Sequence, residues 1–347
     1  MGDVTQRMRE VVETLCSPEF LPRNPGTKGG AAARDFLRSE LEGLGLSGAG
    51  EKGFDQTIPA IGGTNLLGMV PGRGDRFVLL AAHYDACMHP NPGADDNAAA
   101  VAVTVEVARR LRDVDPFRSV IIALFDAEEP PYFLGPEMGS QWFVDHPTVP
   151  LDRLDMMVCL DLVGHALGPE GTPQAIRDSV FVLGAEKSTG TPVLFDELPA
   201  TAGIVPRRVD NYIIDPMSDY YAFMRADIPF LFYSCGRSEH YHAATDTPEK
   251  LDYDKMASFA DHLTDVMREL ANRADTPVYL ADGIDDEATL RNLRSVVGEL
   301  SDVSPEAAMA AALLDQMQAQ LTEKGSLDDQ ERMAIRFLVG QIETALA

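Results

Sequence analysis

Five short segments of this chain carry acidic and histidine side chains in a fixed order. They are His83 and Asp85 in LLAAHYDA, Asp96 in PGADDNAAA, Glu128 and Glu129 in IIALFDAEEP, Asp161 in VCLDLVG, and His242 in SEHYHAATDT. Neutral imidazole and carboxylate are the ligands that divalent zinc takes when no thiolate is offered. Together the segments hold enough of them for two metal ions sharing one carboxylate. A hydrolase built on such ions needs one further carboxylate beside them as a base, and the adjacent Glu128 and Glu129 can supply both a ligand and that base.

Each residue also has a plainer use. An isolated His-x-Asp is usually a solvent-facing polar pair, but residues two apart on an extended segment share one side, so Asp85 can accept the ring N–H of a ligating His83. Asp95 and Asp96 sit at a loop-to-helix junction, where one is expected to cap the helix and the other to bridge metals from a rigid turn. Glu128 and Glu129 close the apolar run SVIIALF, and two carboxylates at the end of a buried strand repel unless cations or protons intervene. Asp161 follows the apolar run MMVCL, where a lone acid should be paired or ligated. In the last segment either His240 or His242 could ligate a metal by residue type.

The elements that must position these groups are legible as near-continuous apolar runs, of the kind required by strands covered on both faces: Thr64 to Val70, Arg76 to Asp85, Ser119 to Glu129, Met156 to Gly164, Ser179 to Ala185 and Ile228 to Gly236. Helical stretches are expected at Asp3 to Leu15, Ala31 to Leu44, Ala98 to Arg112, Gly139 to Asp145 (with Ser140 as a cap) and Asp219 to Arg225. The alternation points to an α/β fold with a mostly parallel mixed sheet sandwiched by helices, whose ligands gather at the carboxyl ends of the strands. Residues 1–275 are expected to form that catalytic domain. Residues 276–347 read as a helical extension, with amphipathic segments at Glu287 to Leu300, Ser304 to Lys324 and Ser326 to Ala347. Ser304-Pro305 provides a helix start and Gly325 a stop. In the last segment Met333, Phe337, Leu338, Ile342 and Leu346 recur at helical spacing, so these helices either pack back on the body or form a homodimer.

Composition narrows the classes. The net charge of −26, from 29 Lys and Arg against 55 Asp and Glu, argues against nucleic-acid binding, because phosphate neutralisation needs clustered cations that this chain lacks. Cys16, Cys87, Cys159 and Cys235 are widely spaced with no CxxC pair, so no disulfide is expected. The last three lie beside site segments in apolar surroundings and read as small buried hydrophobes. The start lacks the apolar stretch of a signal peptide and no run of about 18 apolar residues occurs, from which no membrane association and cytoplasmic residence are expected.

The order HYDA, GADDN, EE, LDLVG and YHAATDTPEKLD resembles the di-zinc aminopeptidases of metallopeptidase family twenty-eight, whose superfamily also holds glutaminyl cyclases. The likeness runs from Arg23 to Met256. It implies that Asp96 bridges two zinc ions, that Glu129 and His242 complete one position, and that His83 and Asp161 complete the other. Glu128 would be the general base and Asp85 the partner that orients His83. The substrates implied are peptides with a free N-terminus. Tyr132, Phe133, Tyr212 and Tyr233 are expected to line the side-chain pocket.

The chain departs from the family pattern at Ala99-Ala100, where Ser-Gly or similar is usual, in PPYFLGPE after the glutamates, and at Tyr220, where a histidine is frequent. None of these removes a proposed ligand; they bear on substrate preference. The competing activity is glutaminyl cyclisation at a single zinc held by Asp96, Glu129 and His242. A binding module on the same scaffold would tolerate loss of ligands, and here none is lost.

Overall fold

The computed structural model describes residues 2–87, 90–301 and 305–347. Strands β1 (Ser47–Gly48), β2 (Asp55–Ile58), β3 (Gly63–Val70), β4 (Phe77–His83), β5 (Ser119–Phe125), β6 (Leu154–Leu160), β7 (Ser179–Leu183), β8 (Val205–Arg208) and β9 (Phe230–Ser234) form one sheet. Its order is β1-β3-β5-β4-β6-β9-β7-β8, with β2 also paired to β3. The centre, β5-β4-β6-β9, is parallel, while β3 joins β5 and β7 joins β9 in antiparallel fashion. The short β1, β2 and β8 have no apolar run to betray them in sequence.

The helices are α1 (Gly2–Leu15), α2 (Lys28–Gly43), α3 (Ala99–Leu111), α4 (Gly139–Asp145), α5 (Gln174–Arg177), α6 (Thr191–Glu197), α7 (Tyr220–Arg225), α8 (Tyr253–Asn272), α9 (Asp286–Leu300), α10 (Pro305–Lys324) and α11 (Asp329–Leu346). Successive side chains of a strand point to opposite faces, which divides the interior in two. Val78, Leu80 and Ala82 of β4 pack with Val12, Val101 and Leu263 of α1, α3 and α8. Leu79 and Ala81 pack on the other face with Phe143 of α4, Phe223 of α7 and residues of the C-terminal helices. Both faces are therefore covered, which is why these strands are apolar throughout. α2 begins earlier than its apolar pattern suggests, because Thr27 Oγ1 accepts the Gly30 N–H at 3.0 Å. Gly30 itself is required: a Cβ there would lie 2.2 Å from the Asn24 carbonyl oxygen.

The described residues of 276–347 pack against the sheet. Leu290, Leu293 and Val297 of α9 share a core with Phe230 and Leu183. Asp286 accepts from the Arg332 guanidinium at 3.0 and 2.8 Å, fixing α11 to the start of α9. An Asp328–Glu331 capping box opens α11, and Gly325, at φ +80, ends α10. The expected apolar stripe of α11 divides: Leu338 and Leu346 are buried, whereas Met333 and Phe337 are 64% and 69% exposed. Ser304, read as the cap of α10, lies outside the described residues. Among the described residues no helix is long and apolar enough to cross a membrane.

Candidate metal centre

Because the central strands are parallel, their carboxyl ends meet along one edge of the sheet, and the loops leaving that edge carry the acidic and histidine residues. β4 ends on His83, β5 is followed by Asp126 to Glu129, and β6 by Asp161. The runs Arg76 to Asp85 and Ser119 to Glu129 are thus shorter as strands than their patterns suggest, since their last residues leave the sheet to build the site. Ala127 (φ 59), Leu162 (φ 55) and His242 (φ 54) hold left-handed backbone there. For a non-glycine residue that conformation costs roughly 1–2 kcal/mol and is found where the surroundings over-determine it.

Asp96 lies between the two imidazoles. Its Oδ1 is 3.4 Å from His83 Nε2 and its Oδ2 is 3.1 Å from His242 Nε2. His83 Nε2 also faces Asp161 Oδ1 at 3.6 Å and Glu128 Oε2 at 3.8 Å, while His242 Nε2 faces Glu129 Oε2 at 3.2 Å. The structure thus brings His83, Asp96, Asp161 and Glu128 together on one side and Asp96, Glu129 and His242 on the other. His240 points elsewhere, its Nδ1 3.1 Å from Thr245 Oγ1.

The site is electrostatically overcharged. Asp96, Glu128, Glu129 and Asp161 are all buried around two histidines. Burial and neighbouring charge push the Glu129 carboxyl up to about 7, with Asp96 the foremost charge. Glu128 is also raised, by burial and by Asp161, Asp219 and Glu129, against the opposing pull of His83. Burial works against protonated histidine, yet the carboxylates raise both rings, His83 chiefly through Glu128, and His242 to about 10 through Asp96 and Glu129. Asp96 moves the other way: burial disfavours its charge, but His242 and His83 hold it below the ordinary carboxylate range. Buried His83 Nε2, Asp161 Oδ1 and Glu129 Oε1 have no hydrogen-bond partner among the described residues. Donor atoms that converge without hydrogen-bond partners, in a pocket of excess negative charge, fit a divalent cation.

Surrounding groups fix the donors. Asp85 Oδ1 lies 3.3 Å from His83 Nδ1, and the two Asp85 oxygens also accept the backbone N–H groups of Glu128 and Glu129, each at 3.0 Å. Neither Asp95 nor Asp96 caps a helix. Asp95 accepts from Gly164 N at 2.8 Å and contacts His165 Nδ1 at 2.7 Å, tying the loop after β6 to the turn before α3. That turn is held from the other side by Asp246, which accepts from Asp95 N and Asp96 N at 2.8 and 3.1 Å. Asn97 Nδ2 adds a bond to the Leu160 carbonyl at 2.9 Å.

Several expectations need correction. Ser140 is not the cap of α4; Met138 occupies that position and Ser140 is buried in the first turn. Tyr233 is fully buried, its ring against Phe259 and its hydroxyl 3.4 Å from His262 Nε2, so it cannot line a substrate pocket. Tyr212 lies beneath the Arg332 guanidinium, 5.9 Å from the ring centre, at the joint with α11. Tyr132 and Phe133 are half-buried in the turn that follows Glu129. Tyr220 is core, stacked on Phe230 and Phe232. None of the four cysteines is in a disulfide. Cys87, however, is partly exposed, and its sulfur, a Glu129 oxygen and a His242 ring nitrogen all lie within 4.8 Å of one another. Asp219, passed over in sequence, is fully buried, and burial raises its carboxyl to about 7, with the Ser140 side chain favouring the charged form.

The chain is similar to several known proteins. The chain is 29% identical over 251 residues to the uncharacterized protein YfbL of Escherichia coli, which covers 61% of this chain and 73% of that one. It is 26% identical to aminopeptidase YwaD of Bacillus subtilis over 211 residues (58% of this chain and 42% of the relative). It is also 26% identical to a glutaminyl-peptide cyclotransferase of Drosophila melanogaster over 176 residues (45% and 48%). The chain therefore spans less than half the length of the latter two. Among solved structures, the LapA aminopeptidase of Legionella pneumophila superposes with a TM-score of 0.64 at 17% identity, over 78% of this chain and 73% of that one. A glutaminyl cyclase of Bacteroides thetaiotaomicron does so with a TM-score of 0.58 at 19% identity, over 76% and 97%. These last two likenesses speak to the fold alone. The model of peptidase family M28 matches residues 65–267, which hold every donor of the centre, and the chain belongs to that family.

Proposed function

We propose that this chain is a zinc-dependent aminopeptidase that removes the N-terminal residue from peptides. The observation that carries the reading is the position of Asp96, whose two oxygens serve different imidazoles and so divide the donors into two sets. Two zinc ions are the natural occupants, one held by His83, Asp96 and Asp161, the other by Asp96, Glu129 and His242. Bound there, zinc supplies a lowered pKa for water and polarisation of the substrate carbonyl.

The remaining chemistry belongs to the chain. Glu128, beside the His83 set and raised by its surroundings, takes the proton of the attacking water and passes it to the departing amine. Asp85 orients His83 and holds the backbone of both glutamates. The free α-amine of the substrate is held by site carboxylates in a chain of net charge −26.

A single zinc held by Asp96, Glu129 and His242 would instead suit glutaminyl cyclisation, the activity named for the Drosophila relative. The fully assembled His83–Asp161 set favours the peptidase. Elemental analysis of the purified protein, run beside aminoacyl chromogenic amides and a glutaminyl peptide, tests both. Two ions and amino-acid release are expected. One ion, with a fully active His83→Ala variant and ammonia release from the glutaminyl peptide, would move the protein to the cyclase branch.

A further inference from the structure

We infer that Cys87 is a thiolate donor to the metal position formed by Glu129 and His242, which makes the two halves of the centre chemically unequal. The inference rests on the metal-centre reading above and deepens it.

Three observations carry it. The sulfur of Cys87 and donor atoms of Glu129 and His242 all lie within 4.8 Å of one another. Zinc binds sulfur at about 2.3 Å and nitrogen at about 2.0–2.1 Å, so this spread matches one coordination sphere to within a side-chain adjustment. Second, Glu129 is 2% exposed, yet its Oε1 has no hydrogen-bond partner among the described residues, so the carboxylate of this cluster carries an unsatisfied acceptor. Third, the cluster on the other side, His83, Asp96 and Asp161, contains only nitrogen and oxygen donors. The other cysteines serve packing: Cys235 receives Lys255 Nζ at 3.2 Å, and Cys159 lies 3.6 Å from Ser218 Oγ, both buried.

The consequence concerns affinity and division of labour. With Asp96 Oδ2 3.1 Å from His242 Nε2, the Cys87 half sets a thiolate beside nitrogen and oxygen donors, a combination that favours softer divalent ions. The His83 half offers only nitrogen and oxygen donors, and Glu128 stands beside it, 3.8 Å from His83 Nε2. The first equivalent of metal therefore enters the Cys87 half, and the second completes the catalytic half.

The test is a cobalt(II) titration of the chelator-stripped full-length protein. The first equivalent should give a near-ultraviolet thiolate-to-cobalt charge-transfer band together with weaker visible ligand-field bands. Cys87→Ala should abolish the charge-transfer band, retain the ligand-field bands and weaken the first equivalent by about tenfold or more. Cys16→Ala should change neither. A second measurement needs no variant: iodoacetamide should alkylate Cys87 in the stripped protein, and one equivalent of zinc should protect it. Ligand-field bands without a charge-transfer band, a band that survives in Cys87→Ala, or alkylation indifferent to zinc would overturn the inference and leave the metal centre standing. No cobalt uptake at all would overturn both.

Discussion

The carboxylate of Asp85 accepts the backbone N–H of Glu129 at 3.0 Å, so the segment following β4 fixes the segment following β5. The other Asp85 oxygen accepts from Glu128 N at 3.0 Å and lies 3.3 Å from His83 Nδ1. One buried side chain thereby sets the spacing between a ring donor and two neighbouring carboxylates. Its removal should loosen all three. Asp85→Asn keeps the volume but turns an amide N–H₂ toward a backbone N–H, and metal affinity is expected to fall by about 10–100-fold. Competition with a chromophoric chelator measures this. Unchanged affinity with unchanged turnover would leave the clamp without a function.

Glu128 and Glu129 are adjacent in sequence but face different imidazoles, His83 at 3.8 Å and His242 at 3.2 Å. Their variants should separate. Glu128→Gln is expected to retain metal while turnover drops on the order of 10²–10⁴-fold, the loss of a proton carrier. Glu129→Gln should lower metal content first. The reverse pattern in elemental analysis and kcat would show the roles to be exchanged.

What could be read from sequence follows from burial. A strand covered on both faces must be apolar throughout, so an acid at its end, such as Asp161 or the Glu128 pair, stands out against the run before it. The supporting contacts do not stand out. Asp246 binds the backbone of Asp95 and Asp96 from a loop far along the chain, and no local pattern announces an acceptor whose donors are main-chain groups. The default for cysteine is a small hydrophobe, which hid Cys87, while aromatic residues such as Tyr233 are as natural in a core as in a pocket. The helical extension was legible as helices, but the side on which α11 packs depended on the Asp286–Arg332 pair.

His262 gives a pH dependence separate from the metal centre. It is buried, its Nε2 3.4 Å from the Tyr233 hydroxyl, and burial lowers its pKa from 6.5 to about 4. Below the unfolded value the unfolded chain binds a proton that the folded chain refuses. The neutral ring's stabilisation is therefore full above pH 6.5 and is lost as pH falls toward 4, a loss of about 3 kcal/mol at most. Urea unfolding at pH 7 and pH 5 should show wild type losing stability while His262→Leu loses less. Parallel behaviour of the two proteins would assign the loss to other groups.

Recognition of a free α-amine gives the sharpest substrate prediction. The centre gathers Asp96, Glu128, Glu129 and Asp161, all buried, and the chain has no basic cluster that would bind a C-terminal carboxylate. An ammonium or amine presented by the N-terminus is the complementary group, and acetylation removes both its charge and its lone pair. An unblocked aminoacyl amide should therefore be cleaved with a kcat/KM at least about 100-fold above that of its N-acetylated partner, a transition-state difference of about 2.7 kcal/mol, within the range for a hydrogen-bonded charge left unpaired. Steady-state assays of the matched pair under one zinc concentration measure the ratio. Efficient cleavage of the blocked substrate would remove the aminopeptidase assignment while leaving a metallopeptidase in place.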